Sequence, residues 1–127
     1  MPPPSDLAIA TKAVERLVKE EAFYRAELAK QQDRVRQLAA EIAAATDPST
    51  LDSNAEYVLK QESRAVDETN AVFAPLRQRT AESVSTLEEQ IAIREADQVD
   101  GAAGSDDELE KARAVLRTGQ TALAKEI

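Results

Sequence analysis

Residues 7–45 read LAIATKAVERLVKEEAFYRAELAKQQDRVRQLAAEIAAA. One row of positions seven apart is Leu7, Val14, Glu21, Leu28, Val35 and Ile42. The row three residues on is Ala10, Leu17, Tyr24, Gln31, Leu38 and Ala45. Only Glu21 and Gln31 interrupt the apolar stripe, and neither Pro nor Gly falls within the run. An apolar repeat of 3.5 residues held this long predicts one helix with one seam to bury. At about 1.5 Å per residue such a helix is about 60 Å long. That is the dimension of a rod working by surface contact, rather than of a compact catalytic globule.

The rest of the chain reads as two more helices. Ser5 or Asp6 suits the cap of the first. Thr46-Asp47-Pro48-Ser49 breaks it, because a residue before Pro is pushed out of helical geometry. Ser49-x-x-Asp52 and Ser53-x-x-Glu56 both have the form of a capping box for the second. Its stripe runs Ala55, Leu59, Val66, Phe73, Leu76, Val84, Leu87, Ile91, with Val58, Ala65 and Val72 beside it. A wide stripe suits a central helix touching two neighbours. Between Leu76 and Leu87 the spacing slips to 4-4-3 through Thr80 and Val84, which relaxes a supercoil locally. Pro75 sits inside this helix, where a bend is expected. Residues near Ala96 to Gly104 form the second break. Ser105-x-x-Glu108 then offers a third capping box, and Leu109, Ala112, Leu116 and Leu123 form the last stripe. Gly119 reads as a weak point in that helix. The expected fold is all-α: an elongated antiparallel three-helix bundle with coiled-coil-like packing. It forms a single domain over 1–127, with helices at about 5–45, 51–95 and 105–126.

Composition narrows the function. Aromatic content is 3%, with no Trp, so burial must come from Leu, Val, Ile and above all Ala. With no Cys, disulfide scaffolds and thiol chemistry are excluded; with no His, so are the Ser-His-Asp triad and His-based metal motifs. Carboxylate pairs such as Glu20/Glu21, Glu88/Glu89 and Asp106/Asp107 are helix neighbours pointing to different sides, so they do not face each other across a cleft as glycosidase chemistry requires. Gly101-x-x-Gly104 has no Lys-Ser/Thr behind it and reads as a linker. A net charge of −8 argues against nucleic acid and against an anionic membrane surface. It leaves a basic partner, or a basic patch on a larger acidic one. No signal peptide and no bilayer-spanning run is read in the sequence, so a soluble intracellular protein is expected. Glu21, Gln31 and Glu62, on or near the seams, read as residues that set register or sit at the bundle edge, against the alternative that the seam opens there to a partner. Tyr24 reads as core, with its hydroxyl at the rim.

The spelling of the first helix goes further. Leu7-x-Ile9-x-Thr11, then Arg16-Leu17-Val18-Lys19-Glu20, then Tyr24-x-x-Glu27 resembles the first helix of the tubulin-binding cofactor A family. Asp47-Pro48 is similar to a loop found before the second helix of some members. Val58-Leu59 with Gln61-Glu62-Ser63-Arg64 resembles the family's second helix, and Lys111-Ala112-Arg113-Ala114-Val115-Leu116 its third. The chain departs from the family pattern at Ala8 and Ala10, where lysines are interleaved. It departs again at Ala65-Val66-Asp67-Glu68, with its proline coming later, at Pro75. The resemblance implies a three-helix chaperone that binds and holds β-tubulin after chaperonin folding, for heterodimer assembly. It implies no cofactor, no covalent chemistry, and a cytoplasmic, cytoskeleton-associated location. A monomer is expected, with a homodimer as the alternative. Arg16, Lys19, Glu20, Gln61 and Arg64 are polar, lie in the matching blocks and need not serve the core. They are the candidate partner-binding residues. The competing reading is a generic coiled-coil scaffold or adaptor.

Overall fold

The structure is a computed structural model that describes residues 3–47, 54–98 and 106–126. It contains α1 (Asp6–Ala44), α2 (Ala55–Gln98) and α3 (Asp107–Ala124), and no strand among the described residues. The expected capping boxes at Ser49 and Ser53, and the Gly101–Gly104 linker, lie outside the described residues. Contacts divide the chain into two compact units, one of Met1–Glu21 with Ala74–Ile127, the other of Ala22–Phe73.

The first unit is a three-helix bundle. Leu7, Ala10 and Val14 of α1 pack with Val84, Leu87 and Ile91 of α2 and with Leu109 and Ala112 of α3. These are the seam residues the heptads select. Thr80 fills the 4-4-3 slip: it is 3% exposed, and its hydroxyl donates to the Leu76 carbonyl at 2.9 Å. Thr11 does the same to Leu7 at 2.8 Å. Each buried hydroxyl is therefore satisfied within its own helix. Helix α2 continues through Pro75. The Ala71 carbonyl loses its usual donor there, and Ala71 is exposed to water.

Gly119 is not the weak point its helix propensity suggests. It is buried against both other helices, and a Cβ there would lie 2.9 Å from Val14 Cγ1 and 2.9 Å from Val84 Cγ2. Glycine is what lets α3 approach this closely.

The two ends of α3 are pinned by arginines of α2. Near its C-terminus, Arg77 Nη1 bonds Glu21 Oε1 of α1 at 2.9 Å and reaches the Ala122 carbonyl at 3.3 Å. Its Nη2 donates to the carbonyls of Leu123 and, at 2.8 Å, Lys125. At the N-terminus the cap is Asp106, whose Oδ1 accepts from Leu109 N. The expected cap, Ser105, lies outside the described residues. Asp106 Oδ2 also accepts from Arg94 at 2.8 Å and from Gln98 at 2.7 Å, which accounts for α2 running to Gln98 rather than stopping near 95. Arg94 bonds Glu108 too, and Glu108 accepts from Ser5, the residue whose Oγ caps α1 at Ala8 N. The hydrogen bond from Arg94, followed by the bond from Leu109 N, holds the Asp106 carboxyl below its usual range against the opposing cost of desolvation; the same pairing raises Arg94.

The second unit is an antiparallel pair made of residues 22–44 of α1 and 55–73 of α2. Thr69 donates to Gln31 at 2.7 Å, and Arg34 pairs with Glu62 at 3.6 Å. Arg25 stacks over Phe73, 5.9 Å from the ring centre. With two helices rather than three, Leu28, Val35, Leu38, Ile42, Leu59 and Val66 are only half-buried.

Three outcomes follow from this packing. Gly119→Ala should lose about 1–2 kcal/mol despite its better helix propensity, because overpacking against two stiff β-branched side chains outweighs that gain. In a Val84→Ala background the same change should cost less or nothing. Urea unfolding of the four variants of this cycle measures the coupling, and equal costs in both backgrounds would remove the close-approach account. Arg77→Ala should lose about 3 kcal/mol, since it removes the guanidinium that bonds buried Glu21 and the last carbonyls of α3, while Arg77→Lys, which lacks the planar fork, should recover only part. Asp106→Asn keeps a good cap but removes a titrating group. A carboxyl whose folded pKa is lowered stabilises above its unfolded value, about 4, and that contribution is lost as pH falls through the folded value. Below pH 4, unfolding curves of the parent should therefore steepen with acid more than those of Asp106→Asn. At neutral pH the variant should be the less stable of the two.

Candidate partner-binding surface

Among the described residues no group of His, Cys, Asp or Glu is placed to hold a metal ion, and no helix is long and apolar enough to cross a membrane. The concavities are open grooves between helices. In the first unit a groove of about 300 Å³ lies between α1 and α2, lined by Ile9, Ala10 and Ala13 against Ser83, Thr86 and Gln90. In the second unit one of about 350 Å³ is lined by Gln32, Val35, Arg36, Ser63, Val66 and Asp67. Neither gathers a nucleophile, a base and a charge-stabilising donor, which a covalent mechanism needs together. Such surfaces can bind by contact.

The five candidate residues sit on exposed helix faces. Arg16, Lys19 and Glu20 belong to the first unit. The Arg16 side chain is 72% exposed, and its Nε lies 3.9 Å from Glu20 Oε1, an i,i+4 pair of the weak surface kind. Lys19 is exposed and makes no ion pair with a described residue. Gln61 and Arg64 belong to the second unit, one turn apart on α2. Gln61 donates to the Tyr57 hydroxyl at 3.0 Å, and Arg64 is exposed without an ion pair among the described residues. The structure thus brings Arg16 to Glu20 and Gln61 beside Arg64, and leaves Lys19 unpaired.

The polar seam residues are accounted for inside the fold. Glu21 is bonded to Arg77, Gln31 to Thr69 and Glu62 to Arg34. They set register between facing helices, as the periodicity suggests.

Several exposed apolar side chains escape the heptad reading. Ile9 and Ile93 are 53% and 55% exposed in the first unit; Phe23 and Tyr57 are each 61% exposed in the second. Phe23 packs edge-on to Tyr24, with ring centres 5.4 Å apart. The signal that finds Ile9 and Phe23 is their place outside both seam rows of α1, two heptads apart. A large apolar residue there has no intramolecular seam to enter. Single apolar residues on a surface are ordinary, so these positions by themselves name no site and no partner.

Comparison with known proteins gives the family. The family model described as tubulin binding cofactor A matches residues 2–116. A solved structure described as Rbl2p, a β-tubulin binding post-chaperonin cofactor, superposes with a TM-score of 0.67 at 26% identity, covering 95% of this chain and 100% of the other. No curated protein sequence matches. Because the family model spans α1, α2 and the first half of α3, well over half of the chain, the chain belongs to the tubulin binding cofactor A family.

Proposed function

We propose that this chain binds β-tubulin after it leaves the chaperonin and holds it until it is assembled with α-tubulin. The observation that carries this is the full-length correspondence with a β-tubulin binding post-chaperonin cofactor, together with the family model over residues 2–116. The chemistry of the surface is consistent with it. A holding protein needs exposed contact groups on stable helices and no reacting groups. It acts without nucleotide, metal or covalent step, in the cytoplasm and in association with the cytoskeleton.

The scaffold reading needs seams left open for other copies. Here the seam polar residues find partners within the chain: Glu21 with Arg77, Gln31 with Thr69, Glu62 with Arg34. That favours a monomer that meets its partner through its solvent faces. The proposed contact surface is the solvent side of α1 and α2, through Arg16, Lys19, Glu20, Gln61 and Arg64. Lys19 and Arg64 are its principal charges, since neither is spent on an internal pair.

The test is the combined Arg16→Glu, Lys19→Glu, Arg64→Glu variant, assayed for capture of β-tubulin free of α-tubulin. Helicity and melting should match the parent, because all three side chains are exposed. Association should slow by about tenfold and lose its salt dependence, the mark of surface charges that steer encounter. Unchanged capture by the folded variant would place the contact elsewhere, with α3 the next surface to test. Failure of the parent chain to bind β-tubulin would leave the scaffold.

A further inference from the structure

The acidic net charge of −8 conceals a basic face. The acidic residues of α3, Asp107, Glu108 and Glu110, are confined to its first turn. From 111 to 125 the chain carries Lys111, Arg113, Arg117 and Lys125 and no carboxylate. Across from this stretch, in the same compact unit, α1 presents Lys12 and Lys19, two turns apart on one side of the helix. Two concavities mark the groove between these helices. One of about 140 Å³ is lined by Ala8, Thr11, Lys12, Glu108 and Lys111. The other, about 420 Å³, is lined by Val18, Ala114, Arg117, Thr118, Thr121 and Lys125, with Ala122 at its floor.

Two of the carboxylates beside this face are engaged, and Glu110, one turn before Ala114, is the acidic group left to oppose its cations. Glu15 pairs with Lys111 at 3.6 Å, and Glu108 takes bonds from Arg94 and Ser5. Lys12, Lys19, Arg117 and Lys125 make no ion pair with any described residue. The Thr121 hydroxyl is likewise without a partner among the described residues and can donate, whereas Thr118 spends its proton on the Ala114 carbonyl. The groove floor is small and apolar, at Val18, Ala114 and Ala122. Unpaired cations and one free donor thus ring a narrow apolar trough.

We infer that the α1–α3 groove of this unit is a docking site for an acidic polypeptide segment. Lys12 and Lys19 are about 10 Å apart along the helix axis, and Arg117 and Lys125 about 12 Å. An extended chain advances about 10 Å in three residues, so a segment with a carboxylate at every third position, or a helix with them at i and i+7, matches both rows. A nucleic acid duplex carries a charge about every 1.7 Å and needs a denser array of cations. The inference does not depend on the identity of the partner proposed above.

The experiment uses the full chain and a fluorescein-labelled oligo-glutamate peptide, followed by anisotropy at low and at physiological ionic strength. Saturable binding that weakens with salt is expected. Backbone amide shifts in ¹⁵N spectra should cluster at Lys12, Lys19, Arg117 and Thr121. The Lys12→Glu, Arg117→Glu, Lys125→Glu variant should bind at least about tenfold more weakly. The corresponding triple Gln variant should fall between, which guards against a folding artefact of charge reversal. No saturable binding at low salt, shifts confined to other faces, or unaltered affinity in both variants would overturn the inference. So would oligo-uridylate or phosphatidylserine vesicles binding the same groove as tightly as the peptide. β-Tubulin capture measured in parallel separates the two proposals: a parent chain that captures β-tubulin but does not bind the peptide overturns the groove alone, whereas a triple variant that loses the peptide and keeps capture supports it.

Discussion

The guanidinium of Arg77 joins all three helices of the first unit. It meets a carboxylate of α1 that is almost wholly buried and the terminal carbonyls of α3. A helix C-terminus leaves its last carbonyls without donors and carries partial negative charge. Glu21, in a seam, carries a full one. Brought together without Arg77, the two would repel and neither would be solvated. With it, each is satisfied by a different N–H of one planar group. This explains why an acidic residue can occupy a seam position of α1 without opening the bundle, and why α3 stops where it does.

The need for such a clamp follows from the thinness of α3. Its buried residues are Leu109, Ala112, Gly119 and Ala122, so much of the interface is made by side chains with little area to remove from water. Close approach through Gly119 recovers van der Waals contact with Val14 and Val84, but contact of this kind tolerates no added methyl group. A helix held by a shallow interface is positioned at its ends. Asp106, Arg94 and Glu108 fix one end, and Arg77 the other. The ion pairs of these two arginines are 2.8–2.9 Å long, whereas Lys111 and Lys30 pair at 3.6 and 4.0 Å. The planar fork serves the fold, and lysines stay free in solvent.

What the sequence made legible is what periodicity controls. The rows of α1 select Leu7, Ala10, Val14 and Leu17 as core, and the slip in α2 puts Thr80 among the buried residues, as the structure has it. Periodicity does not report how many helices cover a stripe. Leu28, Val35 and Ile42 therefore look equivalent to Leu7 and Val14 in sequence yet are only half-buried in a two-helix unit. Gly119 was misread because helix propensity is a local property and its value here is tertiary. The partners of Glu21, Gln31 and Glu62 were invisible because they lie 56, 38 and 28 positions away. The candidate surface was legible only through resemblance: an exposed position has no packing constraint to leave a pattern behind.

Net charge is a coarse guide for the same reason. A value of −8 suggests a basic partner, yet it sums over faces of opposite sign. The carboxylates of α2 and the first turn of α3 dominate the total, and Glu108 and Glu95 among them are spent on Arg94 and Arg113. What a partner meets is the charge left after those internal pairings. On the α1–α3 face that remainder is positive. If the chain holds another protein as proposed, the paired charges belong to the fold and the unpaired ones are those a partner can meet. The distinction can be drawn only once the helices are placed, because every pairing that removes a charge from the surface joins residues on different helices or different turns.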